Sequence, residues 1–349
     1  MENNLIKPHV KNEWGQLREI IVGDAGQAQV PTIGDKCLHA IDYAHLSEEE
    51  FKNRPSGLYP SKVLEETWHD LDQIKKTLES LGVKVHRPVQ RLNFSHTHKT
   101  DNWEVDGYYN YCPRDTVLIV NDKAIEVPMT LRHRQNEAEK SLKPLFDSKN
   151  WVQAPRPQLL DSIYQREDLS RPTLLEGEPV FDAANVIKHN NDLLYLVSNT
   201  GNRDGAKWLE GYCKETFGNE YNVHLAENVY AYIHIDTTFV FLREGLVLIN
   251  PSRVNWRNMP HFISRLDRVW APEPYPTQVL NDWCPASPWL GMNILPINSE
   301  LCMVEEHQVL LMKVLKKWGI ESIPVKLRHA RTLSGGPHCV TLDVVRDDN

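Results

Sequence analysis

What most constrains this chain is an order of local patterns that recurs along it. Two short apolar runs flank a polar turn, a helix-like stretch follows, and another strand-like run closes the unit. One copy begins at Asp115: TVLIV (116–120), the polar NDK and then AIEVP spell a hairpin. Within 132–147, Leu142, Leu145 and Phe146 are spaced for one helical face, which predicts a helix, and WVQAP (151–155) predicts a strand. The second copy runs from NVIKHNNDLLYLVS (185–198), turning at Asn190-Asn191, through a helix over 205–217 to YNVHLAE (221–227). The third is TTFVFLREGLVLIN (237–250), turning at Arg243–Gly245, then a short helix in NMPHFISRLD and the strand RVWAP. The fourth is GMNILPINSELCMVEE (291–306), an amphipathic helix in HQVLLMKVLKKWG, and IESIPVKL. A fifth is split: LREIIVG (17–23), a long insertion, a helix over 61–82 ending at Gly82, and VKVHRP (83–88). The closing segment HCVTLDVVR (338–346) supplies the hairpin partner that LREIIVG lacks.

A single module of this kind cannot bury its own apolar face, so stacking around an axis is the natural solution. Five modules, the last strand completing the first, describe a closed α/β ring. The alternative is an open α+β sheet whose segments resemble each other by accident. No low-complexity linker divides the chain, so residues 1–349 read as a single domain.

The net charge of -8 argues against a nucleic-acid or anionic-membrane surface and is compatible with a small cationic substrate. No run approaches the roughly 18 apolar residues that suggest a membrane span. The N-terminal MENNLIKPHVKNEWGQ has neither an apolar core region nor a transit-peptide pattern. The cysteines (37, 112, 213, 284, 302 and 339) are scattered without a CxxC pair and read as reduced thiols. Together these readings point to the cytoplasm.

The chemistry lies at equivalent places in the modules. Asp115, Asp182, His234 with Asp236, and Cys339 all stand just before or at the first hairpin strand. In a ring they would converge, bringing a thiol, an imidazole and carboxylates together as a nucleophile, a base and an orienting group. His234 and Asp236 alternate around Ile235 and would share one strand face. Gly335-Gly336 allows close backbone approach beside Cys339. Cys112 and Cys302 read as inert core thiols, His96 and His98 as a solvated loop rather than a metal pair, and Lys313–Lys317 as a wet helix face.

The segments EPVFDAANV, IHIDTTF, LVLINPSRV, SPWLGMN and SGGPHCVTLDV resemble those of the L-arginine-dependent amidinotransferases, among the guanidine-modifying enzymes. The likeness runs from NEWGQLREIIVG to the last strand, and DGYYNYCPRD, GAKWL and PSRVN resemble the enzymes that amidinate an inosamine phosphate in streptomycin-type pathways. The resemblance implies a five-module α/β propeller with its active site in the axial channel. It makes Cys339 the nucleophile, His234 the general acid/base and Asp182 its triad partner. Asp115 and Asp236 would bind the guanidinium, and Arg253 with Ser287 would grip the donor's α-carboxylate. The implied reaction passes the amidino group of arginine through Cys339 to an acceptor amine and releases ornithine, with no metal or organic cofactor. A homodimer is also implied. Pro337 departs from many relatives and changes the wall beside the nucleophile. Ala286 removes a hydroxyl that the glycine-using enzyme has for the carboxylate, and the segment YAYI (230–233) lacks the residues that mark that enzyme, which favours an acceptor other than glycine. If it is an aminocyclitol phosphate, Arg134, Arg203 and Lys207 are candidates for the phosphate. An arginine deiminase-like hydrolase giving citrulline and a non-catalytic propeller are the alternatives.

Overall fold

The computed structural model describes residues 5–89, 93–229, 232–280 and 286–348. Five three-stranded sheets share one make-up: an antiparallel hairpin, and a third strand parallel to the hairpin strand at the centre. A parallel neighbour is out of reach of a tight turn, so the chain crosses over through helical segments. The hairpins are Val117–Val120 with Lys123–Glu126, Val186–His189 with Asp192–Leu196, Phe239–Arg243 with Leu246–Ile249, and Leu295–Asn298 with Leu301–Glu305. Their parallel third strands are Trp151–Gln153, Asn222–Ala226, Asp267–Trp270 and Glu321–Val325. The remaining sheet joins the two ends of the sequence: Leu17–Val22 pairs antiparallel with Thr341–Arg346 and parallel with Lys84–His86. Three of the hairpin turns use left-handed backbone, supplied by Asn121, Asn190 and Gly245 at φ 50°, 59° and 72°.

Most hairpin residues are buried, and alternate side chains serve different cores. Leu118 and Ile125 pack with Val186, Leu193 and Tyr195. Ile187 and Leu194 pack with Phe239, Phe241 and Val247. Val240 and Leu248 join Ile294, Cys302 and Val304. Leu295 and Met303 join Leu17 and Ile20. Ile21, Leu342 and Val344 then pack with Val117, Ile119 and Ala124. Each sheet shares a core with the next and the series returns to its start, the order that modules stacked around an axis would give.

The helices follow their periodicity. Ser61–Ser80 buries Val63, Thr67, Leu71, Ile74 and Leu78 along one face, and Gly82 follows at φ 79°. Arg203–Phe217 is capped by Asn202, whose side chain accepts from Gly205 N at 2.9 Å. The helix expected over 132–147 is instead broken into a 3-10 turn Arg132–Arg134, a short helix Glu137–Ser141 and a second turn Lys143–Leu145. Pro144 has no N–H to continue the ladder. Arg132 and Arg134, which a charged helix would leave wet, are buried and point at carboxylates. The insertion after Leu17–Val22 has structure of its own, including the helix Lys36–Ile41. Asp35 caps that helix through Leu38 N at 2.8 Å and pairs with Arg132 at 2.7 Å, tying the insertion to the module that begins at Asp115.

A buried ionic clamp accompanies the closing strand pair. Arg114 donates to the carbonyls of His338 and Thr341, each at 2.8 Å, and pairs with Asp343 on the last strand; Glu13 lies 4.0 Å away. Arg114→Met removes a cation facing two buried carboxylates, and urea unfolding should show a loss of about 3–5 kcal/mol. A loss below about 1 kcal/mol, in the range of an exposed pair, would deny the clamp its role in stability.

Candidate active site

Before the first strand of four sheets the chain makes a tight 3-10 turn. These are Pro113–Asp115, Ala183–Asn185 after Asp182, Ile235–Thr237 after His234, and Pro288–Met292 after Ser287. A leading proline presets φ in the first and last of them. In the fifth sheet a turn holding Cys339 takes this place, with Val340 N bonded to Gly336 O at 3.0 Å. The five turns deliver Asp115, Asp182, His234, Asp236, Ser287 and Cys339 to one cavity of about 440 Å³. His234 and Asp236 both reach it, but through the turn Ile235–Thr237 and not through strand alternation.

The nucleophile's turn is held by close packing. Asn293 Oδ1 accepts from the backbone N–H of both His338 (2.9 Å) and Cys339 (3.1 Å). A Cβ at Gly336 would stand 2.7 Å from that oxygen, and one at Gly335 would stand 2.5 Å from Cys112 Sγ, so both positions need glycine. The Cys339 thiol donates to Asp236 Oδ2 at 3.4 Å, and His338 Nδ1 contacts the same oxygen at 2.9 Å. A hydrogen bond with Cys112, burial, and the negative charge of Asp236 and Asp115 hold the Cys339 thiol protonated well above the usual cysteine range. These surroundings keep the thiol neutral.

His234 sits between two carboxylates. Its Nε2 is 3.0 Å from Asp182 Oδ2, and its Nδ1 is 3.6 Å from Asp115 Oδ1. Asp182 is oriented in turn by Thr130 N, which donates to its other oxygen at 3.0 Å. Burial alone would lower the imidazole's affinity for a proton, but Asp115, Asp182 and Asp236 outweigh it and raise the pKa to about 9. At neutral pH this side chain is a cation with a proton to give.

Asp115 is fixed by Arg134, whose Nη1 lies 2.6 Å from Asp115 Oδ2 while its Nε bonds to Glu137 at 2.8 Å. Among the described residues, the other oxygens, Asp115 Oδ1 and Asp236 Oδ1, have no hydrogen bond of ordinary geometry. Two buried, unsatisfied carboxylate oxygens on the lining that holds Cys339 form a seat for a planar cation. Further along the lining, Arg253 donates through Nη1 to Thr237 Oγ1 at 2.7 Å and Thr238 Oγ1 at 3.0 Å. Burial lowers its pKa to about 10, which leaves it charged at neutral pH, and no carboxylate among the described residues lies within ion-pair distance. Arg253 and Ser287 also line an adjoining groove with Tyr232 and Trp289. All seven expected site residues thus line the cavity.

Other expectations change. Arg134 lines the cavity but is spent on Asp115 and Glu137, so it offers no free guanidinium to a phosphate. Arg203 pairs with Glu176 and Glu227, Lys207 pairs with Asp204, and neither lines the cavity. Cys112 is no strand residue: it precedes the turn Pro113–Asp115 and its thiol hydrogen-bonds that of Cys339. The five described cysteines are free, and Cys284 lies outside the described residues, as do Tyr230 and Ala231. Among the described residues no three His, Cys, Asp or Glu side chains are grouped as a metal site, and no helix is long and apolar enough to cross a membrane. Sequence reasoning missed Asn293, His338 and Arg134 as supports, although MN and PHC stood inside segments it had singled out.

No family model matches the chain. It is 43% identical over 343 residues to inosamine-phosphate amidinotransferase 1 of Streptomyces griseus, covering 97% of this chain and 96% of that one. The solved inosamine-phosphate amidinotransferase of the same organism superposes with a TM-score of 0.93 at 42% identity, covering 99% of this chain and 98% of the other. An amidinotransferase of the saxitoxin pathway from Microseira wollei gives a TM-score of 0.86 at 31% identity, with 98% of each chain covered. L-arginine:L-lysine amidinotransferase of Pseudomonas savastanoi pv. phaseolicola is 32% identical over 352 residues, covering 96% of this chain and 93% of that one.

The carboxylates around His234 have a measurable consequence. Its ring stays protonated through neutral pH and loses its charge as pH rises through about 9. Asp182→Asn removes one of the charges that raise this value. NMR titration of the ring should place the midpoint near 9 in the parent and clearly lower in the variant. An unmoved midpoint would remove Asp182 as the cause.

Proposed function

Because the chain belongs to the amidinotransferase family, we propose that it takes the amidino group of L-arginine onto Cys339, releases L-ornithine, and passes the group to a small-molecule amine. The observation that carries this reading is a pair of buried oxygens without a hydrogen bond among the described residues, Asp115 Oδ1 and Asp236 Oδ1, in the cavity that also holds the Cys339 thiol and the His234 imidazole.

A guanidinium spreads its charge over three nitrogens and resists attack, so it must be held flat and met by a thiolate. Bound between Asp115 and Asp236, it would offset the negative charge that keeps Cys339 protonated. The thiol proton then leaves to solvent, and the thiolate sulfur forms a bond to the guanidinium carbon. His234, charged at rest, gives its proton to the departing nitrogen as the carbon–nitrogen bond breaks. Ornithine leaves as a neutral amine, a cationic amidino group stays on sulfur, and His234 is left neutral. The acceptor amine attacks the same carbon and gives a proton to His234. The carbon–sulfur bond breaks, the thiolate is restored, and the product leaves as a guanidinium. Asp182 keeps the imidazole oriented through both halves. Arg253 and Ser287 receive the donor's α-carboxylate, for which a planar guanidinium with free N–H groups is suited.

The acceptors named for the relatives favour a role in specialised metabolism, in making an aminocyclitol antibiotic or a guanidine toxin. Near-complete coverage by full-length relatives supports reading residues 1–349 as one catalytic domain. Placement in the cytoplasm, from the sequence pattern, and assembly as a homodimer, by resemblance, complete the reading.

Arginine alone tests the core of it. One ornithine per protein and an amidino mass increment on Cys339 are expected, with neither in Cys339→Ala. Citrulline accumulating without an acceptor would mean hydrolysis instead.

The donor grip is tested apart from the chemistry. Arg253→Leu should weaken L-arginine by roughly 10- to 150-fold, the worth of a charge-assisted contact of about 1.5–3 kcal/mol. Agmatine, which has no carboxylate, should lose far less. Equal losses for the two donors would refute the carboxylate role.

A further inference from the structure

Four carboxylates line the cavity: Asp42, Asp115, Asp182 and Asp236. The transfer chemistry employs three of them. Asp115 and Asp236 face the amidino group in both half-reactions, and Asp182 stays on His234 at 3.0 Å. Asp42 is left over, and it comes from the insertion rather than from a module. It ends the helix Lys36–Ile41, with its own N–H bonded to Leu38 O at 3.1 Å. That helix is anchored at its start by Asp35, which pairs with Arg132 at 2.7 Å, so the position of Asp42 is set by a fixed element. Among the described residues no cation lies within ion-pair distance of its carboxylate, and Tyr108 hydrogen-bonds it. Burial is the largest influence on this group, raising its pKa to about 6, with Arg134, Asp182 and His234 acting from across the cavity. It is therefore ionised at neutral pH but poorly solvated, a state that a cationic partner would relieve.

The second half-reaction supplies such a partner. A primary-amine acceptor arrives as an ammonium, at a site whose sulfur already bears a cationic amidino group, and loses one proton to solvent before the attack that gives the second to His234. Without an uncommitted anion on its way in, the two cations repel each other in a poorly solvated cavity. We propose that Asp42, supported by Tyr108, receives the ammonium of the incoming acceptor and is a specificity-determining residue for the second half-reaction. This rests on the two-step transfer proposed above, and it sets acceptor choice in the insertion while donor chemistry stays in the modules.

The test separates the two halves using Asp42→Asn, which keeps the size of the side chain. With L-arginine alone, the variant should still release one ornithine per protein and carry the amidino group. Its KM for the best-used amine among inosamine phosphate, L-lysine and glycine should rise roughly 10- to 100-fold, the range for a lost charge-assisted contact. Hydroxylamine, uncharged at neutral pH, should discharge the amidino group from variant and parent at similar rates, and Asp42→Glu should recover part of the lost affinity. Equal effects on hydroxylamine and the ammonium acceptor, or none on either, would overturn the proposal. So would a defect confined to the arginine step, which would make Asp42 a donor contact. If the parent protein itself forms neither ornithine nor the amidino adduct, the transfer reading fails, a result distinct from any behaviour of the variant.

Discussion

The pairing of Thr341–Arg346 with Leu17–Val22 is the interaction on which the rest of the structure depends. It joins the two ends of the sequence in one sheet, and through that sheet the last of the shared cores is completed. Cys339 lies just before this closing strand, so the nucleophile reaches the cavity only when the ends have met. Arg114 couples the two events physically, holding the carbonyls of the cysteine turn with the same guanidinium that pairs with Asp343. Building the chemistry into the seam makes the reactive thiol a product of complete folding.

The cavity is held together by a charge imbalance. Buried carboxylates repel one another and would take up protons unless cations faced them. Arg134 answers Asp115, and His234 answers Asp182 by taking a proton of its own. Asp236 is countered by His338, which lies 2.9 Å from it and 3.5 Å from Glu13 on the far side. Among the described residues, what remains without a hydrogen bond is one oxygen each of Asp115 and Asp236, and Asp42 has no cation beside it. The cavity is thus short of positive charge where a guanidinium has room. The same negative field that favours a cationic substrate suppresses the thiolate, and a neutral thiol is a poor nucleophile toward adventitious electrophiles.

Much of this was legible because the hairpin turns and the module order are written in local sequence. Asn190-Asn191 and the glycine at 245 mark turns, and apolar runs of four or five residues mark strands buried on both faces. Asp115, Asp182, His234, Asp236 and Cys339 were legible as a set because each stands shortly before a strand. Local pattern does not say which charged side chains turn inward. The charged stretch from Arg132 read as one helix, and only the carboxylates of Asp35 and Asp115, distant in sequence, draw Arg132 and Arg134 in. His234 and Asp236 were assigned to a strand because a 3-10 turn of three residues has no periodicity to reveal it. Cys112 is a core residue as read, but nothing in YCPRD shows that it packs under Gly335 beside the nucleophile's turn. Asp42 carried no signal at all, since the insertion belongs to no repeat.

The cavity draws one or two groups from a turn in each of the five modules. Such a site has no smaller version. A fragment lacking any one module loses a chemical group and two shared cores together, so partial chains cannot keep partial activity. Conversely, two complementary fragments that reassemble the ring would regain every group at once. Loss of turnover in denaturant then registers the opening of the whole ring, which makes the reaction itself a probe of cooperative unfolding.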